Sequence, residues 1–490
     1  MLFDYDPTSA ESILRYAKNL EGKTFFDVKQ RYLAYYNRLN ELDSNSNNNT
    51  AAKGQLGNFL EEYYFGYKPN SNQGADFPDA GVELKQTCID VKKSGEYVAG
   101  ERLSITNISY EEPVEIDFYK SHVWNKIRLI LLIFYLRDKS IPRMFNKILF
   151  ANLFTPPKDD LSIIISDYNN IIKKIRLGKA HEISESDTLY LGACTKGATA
   201  EKSLRSQYYD CNGVNYPAKK RNFCFKRSYM DYVLHAYILN DSVPYETIIK
   251  DSSLLAQKSF EDIIIERLQF HIGESDMHLC EYYNRIYNNN KAQWVDLTYR
   301  MLGIKGNHAD EFVKSNIVVK TIRLEENNKI RENMSFPPFK FMNIINEDWE
   351  DSDIYNYFSS TKFLFVIFKR KKNHYILYDV KFWNMPISDL EGDVKSGWLK
   401  IKNTIINGIT FKINKNGKVS NNLPGKNDNR IIHIRPHAGK SAYKLNNGYS
   451  KGDIEKDANV LPDGQYMTTQ SFWINNNYIL NEIETVSSFV

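Results

Sequence analysis

The 490-residue sequence has only five cysteines, no long apolar run and little excess of charge of one sign. The cysteines are scattered without a C-x-x-C pair, which excludes a disulfide framework and a zinc ribbon. The longest apolar stretch, residues 129–136, is far shorter than the about 20 residues that a membrane-spanning helix needs. The N-terminus carries acidic residues where a signal peptide has a basic start and an apolar run. These absences predict a soluble cytoplasmic protein.

Several nucleotide and metal motifs are also missing. The sequence contains neither a G-x-x-x-x-G-K-[ST] phosphate loop nor a G-x-G-x-x-G fingerprint, and its nine histidines form no H-E-x-x-H. These absences argue against a nucleotide-driven motor, a dehydrogenase and a zinc protease. The net charge of +4 is a weak indication of anionic partners.

The composition is that of a globular protein, with 42% apolar and 25% charged residues. Helical and strand patterns are mixed along the chain, which predicts an α/β or α+β mixed sheet. In the first half we expect helices over 10–20 and 163–177. We expect strands over 81–87, 103–108, 126–136 and 188–191.

A similar order of elements begins again after residue 255. Val82-Glu-Leu-Lys85 matches Ile317-Val-Val-Lys320, and two apolar runs, beginning at Lys126 and Lys362, also correspond. We interpret the halves as two diverged copies of one fold. The predicted domains are residues 1–240 and 259–490, joined by a linker over 241–258.

A cluster of charged residues lies where the strand over 81–87 begins, in Asp76-Phe-Pro-Asp-Ala-Gly-Val-Glu83-Leu-Lys85. Residues two apart on a strand share a face, so Glu83 and Lys85 point the same way. Asp76 lies on the turn that enters the strand and adds a second carboxylate. Two carboxylates suit Mg²⁺, which keeps several waters and accepts phosphate oxygens, while the lysine orients or deprotonates a water. The pattern predicts phosphodiester hydrolysis of the PD-(D/E)xK kind.

The [DE]-x-K triplet alone carries little information, because at least six occur in the chain. Context favours Glu83, which has Asp76 at the preceding turn, Gly81 for close backbone approach and Glu61 on the preceding predicted helix. The nearest competitor, Asp379, lacks a comparable Asp-Phe-Pro turn. We therefore expect the active site in the first copy.

Four segments in order resemble the mismatch-repair nicking endonuclease MutH: Gly57-Asn-Phe-Leu-Glu61, Asp76-Phe-Pro78, Gly81-Val-Glu-Leu-Lys85 and Ser121-His-Val-Trp-Asn-Lys126. The doubled length and Asp187-Thr-Leu-Tyr-Leu-Gly-Ala-Cys-Thr-Lys196 resemble the Sau-three-A type of GATC-cutting type II restriction enzymes. The resemblance covers essentially the whole chain and is strongest over 50–140. It implies two tandem restriction-endonuclease-like domains, the first cutting DNA and the second binding another DNA copy as an effector.

The same resemblance implies five catalytic residues: Glu61, Asp76, Glu83, Lys85 and Lys126. Asp76 and Glu83 would be the ligands of Mg²⁺, and the two lysines would be catalytic. Glu62 is an alternative to Glu61, because the interval to Gly66 is one residue longer than in MutH. In the second copy Val318 takes the place of Glu83, and an aliphatic side chain cannot bind a hard cation. That second site is therefore predicted to be inactive.

Basic and aromatic residues alternate over 217–227, which favours phosphate contact by the nuclease domain; the alternative is a solvated edge strand. The loop before it matches the region from which MutH reads its site. In the second copy an arginine follows a predicted strand, and arginine is the commonest reader of guanine. The predicted DNA contacts are Lys196, Arg205, Lys219, Lys220, Arg221, Lys226, Arg435, His437 and Lys440.

The leading hypothesis is a bacterial Mg²⁺-dependent endonuclease that cuts both strands of duplex DNA at GATC. The resemblance supplies this target and implies cleavage before the G, leaving 5′ overhangs. One intact site per chain requires either a DNA-induced dimer or two sequential cuts. The alternatives are a MutH-like nicking repair enzyme, which the chain length disfavours, and a noncatalytic DNA-binding protein, which the intact acidic set disfavours.

Overall fold

A computed structural model describes residues 3–39, 55–69, 74–195, 203–241, 245–288, 290, 292–330 and 333–484. The chain forms two compact units, residues 1–260 with 308–316 and residues 261–307 with 317–490. The predicted linker, 241–258, belongs to the first unit. It is held there because the Glu311 carboxylate accepts the backbone N–H groups of Ile248 and Ile249, at 2.9 and 2.8 Å.

The first unit is a mixed α/β structure, as the sequence pattern predicts. Its helices are α1 (Ala10–Lys18), α2 (Phe25–Leu39), α3 (Gln55–Leu60), α4 (His122–Ile127), α5 (Lys158–Arg176) and α6 (Arg227–Val233). Its strands are β1 (Glu83–Val91), β2 (Tyr97–Ala99), β3 (Leu103–Asn107), β4 (Ile130–Leu136), β5 (Ile148–Phe154), β6 (Leu191–Thr195), β7 (Leu204–Arg205), β8 (Ala218–Lys219) and β9 (Arg221–Phe225).

The main sheet of this unit has the order β2-β1-β4-β5, with β1 and β4 parallel from the Glu83–Ile130 pair onward. Apolar side chains of α1, α2 and α3 share one hydrophobic core with residues of β1, β4 and β5. A second sheet, β3-β9-β6, is antiparallel. The first residues of β1 therefore lie at the end of the buried parallel pair of strands β1 and β4, where hydrogen bonds and core packing fix their positions.

Two strand predictions in this unit are corrected. The apolar run over 126–136 contains a strand only from Ile130, because Ser121 caps α4 by accepting the N–H of Trp124 at 3.1 Å. The strand predicted over 188–191 instead begins at Leu191. The buried Asp167 carboxylate takes the N–H groups of residues 189–191, so this segment is tied to α5.

The second unit repeats the mixed architecture. Its helices are α7 (Phe260–Gln269), α8 (Asp276–Tyr282), α9 (Ala292–Met301), α11 (Phe341–Ile344), α12 (Asp353–Ser360), α13 (Ile387–Asp389), α14 (Lys395–Ile406), α15 (Ile454–Asp457) and α16 (Asn476–Glu484). The helix between α9 and α11, α10 (Asp310–Ser315), lies in the segment 308–316, which belongs to the first unit. Its strands are β10 (Ile317–Leu324), β11 (Met334–Phe339), β12 (Lys362–Lys371), β13 (His374–Trp383), β14 (Phe411–Ile413), β15 (Val419–Asn421), β16 (Ile432–Pro436), β17 (Tyr443–Lys444), β18 (Ser450–Lys451), β19 (Ala458–Val460), β20 (Tyr466–Thr468) and β21 (Gln470–Ile474).

The sheets of the two units correspond. In the second unit β10 and β12 are parallel and β13 is antiparallel to β12, as β1, β4 and β5 are in the first. The antiparallel sheet β11-β21-β16 matches β3-β9-β6. Within the described residues, every helix is too short or too polar to cross a membrane.

Candidate active site

The turn before β1 fixes the first carboxylate. Phe77 and Val82 form an antiparallel bridge, and Gly81 closes the turn with φ +66°. This left-handed backbone conformation favours glycine, and a Cβ there would also lie 2.8 Å from the guanidinium of Arg128, which would have to shift. The Asp76 carboxylate accepts the N–H of Leu84 at 2.9 Å, which ties the turn to the strand.

Two lysines converge on the second carboxylate, Glu83, which is 1% exposed. The Lys126 ammonium lies 2.9 Å from each oxygen of Glu83 and also donates to the Gly74 carbonyl at 2.9 Å. The Lys85 ammonium pairs with one of the same oxygens. The structure thus brings Glu83, Lys85 and Lys126 together although they come from a strand and a helix.

The third carboxylate is Glu61, and an irregular turn directs it to the site. α3 ends in a π-helical turn, Glu61–Phe65, closed by Gly66 with φ +77°. A π-turn accommodates one more residue than an α-turn, so it changes which side chains face the site. Glu61 is half-buried and interacts electrostatically with Asp76 and Glu83, whereas Glu62 is exposed. The geometry therefore favours Glu61 over Glu62.

The acidic side chains repel one another and are partly desolvated. Burial, with a further contribution from Asp76, raises the pKa of Glu61 to about 7. Burial and the neighbouring Glu83 raise the pKa of Asp76 to about 6. Groups with such displaced pKa values are concentrated at functional sites. A divalent cation would relieve this repulsion, so the donor set fits a hard metal.

The site offers few protein ligands for a metal ion. Among the described residues, no group of three or more histidine, cysteine, aspartate or glutamate side chains is placed to hold a metal ion. Mg²⁺ does not need one, because it usually binds one or two carboxylates and completes its shell with water and phosphate oxygens. Asp76 and Glu83 would supply those two carboxylates.

Comparison with known proteins agrees with this geometry. The chain is 36% identical to the type II restriction enzyme Sau3AI of Staphylococcus aureus over 463 residues, which cover 88% of this chain and 93% of the relative. The chain belongs to the Sau3AI family of restriction enzymes. As a member of this family it is a type II restriction endonuclease, a site-specific deoxyribonuclease. Enzymes of this kind generally use a divalent metal ion.

The nuclease region of this Sau3AI-family chain is also related to MutH. The model of the DNA mismatch repair enzyme MutH matches residues 65–167, which include β1, α4 and β4. The MutH protein of Vibrio campbellii is 25% identical over 188 residues, 38% of this chain and 80% of the relative. That of Shewanella woodyi is 25% identical over 182 residues, 37% and 76% respectively. The MutH-family prediction is confirmed, and the similarity lies in the half that carries the acidic cluster.

Two of the predicted DNA contacts in the first unit are contradicted by burial. Arg221 is 5% exposed and donates to the Ala193 carbonyl at 3.0 Å. Lys226 is 1% exposed and its ammonium bonds the Thr188 carbonyl. The alternation over 217–227 predicts phosphate contact or a solvated edge strand, but β9 is the central strand of its sheet and is buried throughout.

The other predicted contacts of this unit remain accessible or lie outside the described residues. Arg205 and Lys219 lie on the small β7–β8 hairpin, and Lys220 follows it; all three are half-buried. Lys196 lies outside the described residues. The hairpin therefore carries the candidate DNA-facing cations of the Sau3AI-family nuclease unit.

Among the described residues of the second unit, no acidic cluster corresponds to the one at β1. Val318 packs against its hydrophobic core, and the Lys320 ammonium donates to the Ser335 carbonyl at 3.4 Å and lies 5.4 Å from the centre of the Phe336 ring. A cavity of about 240 Å³ opens beside Lys320, and no acidic residue of the described chain is among its lining residues.

Arg435, His437 and Lys440 are exposed at and beyond the end of β16. The Arg435 guanidinium lies 5.3 Å from the centre of the Trp473 ring, and His437 hydrogen-bonds the Ser471 hydroxyl at 2.9 Å through Nδ1. Sequence reasoning missed Trp473. The strand pattern of Gln470-Ser-Phe-Trp-Ile474 could have identified it. Alternation along a strand places Trp473 on the same face as Ser471 and opposite Phe472.

Proposed function

We propose that this protein is a Mg²⁺-dependent type II endonuclease that cuts both strands of duplex DNA at GATC, before the G. The products would carry 5′ overhangs, and the enzyme would act in the bacterial cytoplasm. The observation that supports the metal chemistry is the convergence of Asp76, Glu83, Lys85 and Lys126 at the start of β1. The resemblance to GATC-cutting enzymes supports the target.

Each residue of this site would have a separate role in the reaction. Asp76 and Glu83 would hold Mg²⁺, which when bound stabilises negative charge on the scissile phosphate. Lys85 would orient the attacking water or take its proton. Lys126 would hold Glu83 in place and add positive charge beside the phosphate, since electrostatic stabilisation aimed at developing charge lowers the barrier. Glu61, with its pKa raised to about 7, would support the site from the π-turn.

We assign effector binding to the second unit. It keeps the two-sheet architecture but has Val318 in place of the metal-binding glutamate, and Arg435, His437 and Lys440 are exposed at the end of β16. A second duplex bound there would favour pairing of two chains on DNA, which would supply two active sites for the two strands. This coupling is allosteric, because each DNA site would change the affinity of the other.

A supercoiled plasmid with one GATC, incubated with Mg²⁺, tests the proposal. We expect linear product whose ends map to the 5′ side of the G, with a second DNA copy in trans accelerating the reaction. Stable nicked circles would support a repair-type nicking enzyme instead. A mobility shift without cleavage would indicate a binding protein, and linear product with ends elsewhere would refute the GATC assignment.

A further inference from the structure

A tyrosine lies beside the acidic cluster with no assigned role. The backbone N–H of Tyr67 donates to the Glu61 carbonyl at 3.0 Å, across the π-turn that presents the Glu61 carboxylate. The Tyr67 ring packs edge-on against Phe77, with 5.3 Å between ring centres, and Phe77 directly follows Asp76. Tyr67 is therefore anchored to both segments that carry the outer carboxylates of the site.

The hydroxyl group of this tyrosine is buried and unsatisfied. Among the described residues, it is one of the few buried side-chain oxygen atoms without a hydrogen-bond partner. Burial raises its pKa, and the nearby Asp76 and Glu61 raise it further, so the phenol stays protonated and remains a donor. Leaving a buried donor unpaired costs about 1–3 kcal/mol, so such groups are rarely retained without a function.

We propose that Tyr67 is a positioning residue whose hydroxyl donates a hydrogen bond to a water molecule in the outer hydration shell of the divalent cation. Mg²⁺ keeps several waters when one or two carboxylates bind it, and those waters donate their protons to carboxylates and to outer-shell waters around them. The protein carboxylates supply acceptors only, whereas Tyr67 supplies a neutral donor on the Glu61–Asp76 side. This inference rests on the proposed metal site.

Tyr67→Phe in the full chain tests this role, because it removes one oxygen and keeps the ring against Phe77. Tyr63→Phe is the matched control, since Tyr63 lies on the π-turn that precedes Tyr67 but packs on Tyr32 and Phe59. The probe is Mn²⁺ alone, titrated by calorimetry and by electron paramagnetic resonance. We expect Tyr67→Phe to weaken Mn²⁺ binding about 3- to 10-fold, the loss of one hydrogen bond, and Tyr63→Phe to leave it unchanged.

The melting temperature in EDTA distinguishes a role in metal hydration from a role in packing. Because the hydroxyl has no hydrogen-bond partner among the described residues, Tyr67→Phe should be at least as stable as the parent in EDTA and should gain less from added Mn²⁺. A lower melting temperature in EDTA, equal Mn²⁺ affinity for parent and Tyr67→Phe, or an equal loss in Tyr63→Phe would overturn the inference. If the parent itself binds no Mn²⁺ and cuts no DNA, the proposed function fails as well.

Discussion

Removing the charge of Asp76 should stabilise the metal-free protein. Its pKa lies at about 6 instead of the ordinary 3.8, because burial and Glu83 penalise the ionised form. A group whose pKa is raised by folding binds its proton more tightly in the folded state, so stability falls as pH rises from about 4 to about 6. The difference corresponds to about 3 kcal/mol at pH 8, as an upper limit.

Asp76→Asn abolishes this penalty while its amide oxygen still accepts the N–H of Leu84. In EDTA at pH 8 we expect the variant to melt higher than the parent by calorimetry, by at most about 6–12 °C at about 2–4 °C per kcal/mol. The gain should shrink below pH 6 and vanish near pH 4. Added Mg²⁺ should stabilise the parent more than the variant.

The matched control is Asp79→Asn, on the same turn but exposed, which should leave the melting temperature unchanged. The reasoning is refuted if Asp76→Asn is no more stable than the parent in EDTA at pH 8. It is also refuted if the gain persists undiminished at pH 4, because the effect would then not be electrostatic.

Three further substitutions test individual roles. Lys126→Met should lower the single-turnover cleavage rate about 100-fold or more, since a donor aimed at developing charge is lost, whereas the exposed Lys120→Met should cleave normally. Glu61→Gln should reduce the cleavage rate about 10- to 100-fold, and Glu62→Gln should leave the rate unchanged. The reverse result would assign the helix carboxylate to Glu62. Arg435→Ala should weaken binding of a GATC duplex to the second unit about 10- to 100-fold in a competition assay and leave basal cleavage intact. Unchanged duplex affinity would contradict a role for Arg435 in the effector site.

The sequence pattern alone predicted that Asp76, Glu83 and Lys85 lie together, because these residues are close in sequence. Glu83 and Lys85 share a face of β1 by strand alternation, and the Asp-Phe-Pro turn places Asp76 beside them. Lys126 was predicted to enter a strand, since an apolar run carries no signal that separates it from the preceding helix. The Ser121 cap, which forms that helix, becomes evident only from the folded backbone.

Other features depend on packing that one sequence does not encode locally. Arg221 and Lys226 alternate with aromatic residues, yet both are buried. Arg221 lies on a strand that is central in its sheet, and Lys226, directly after that strand, bonds the Thr188 carbonyl. The choice between Glu61 and Glu62 depends on a π-turn, which shifts the side-chain period by one residue. Tyr67 is one tyrosine among 33, and only the fold places its hydroxyl at the acidic cluster.

The most direct test of the account is cleavage and binding of a GATC duplex by Glu83→Gln, measured side by side. The amide keeps the shape of the side chain but removes the charge that would hold Mg²⁺ and pair with Lys85 and Lys126. We predict no detectable cleavage in Mg²⁺, with duplex affinity in Ca²⁺ close to that of the parent. Cleavage by Glu83→Gln at the rate of the parent would contradict the assignment of the active site to β1.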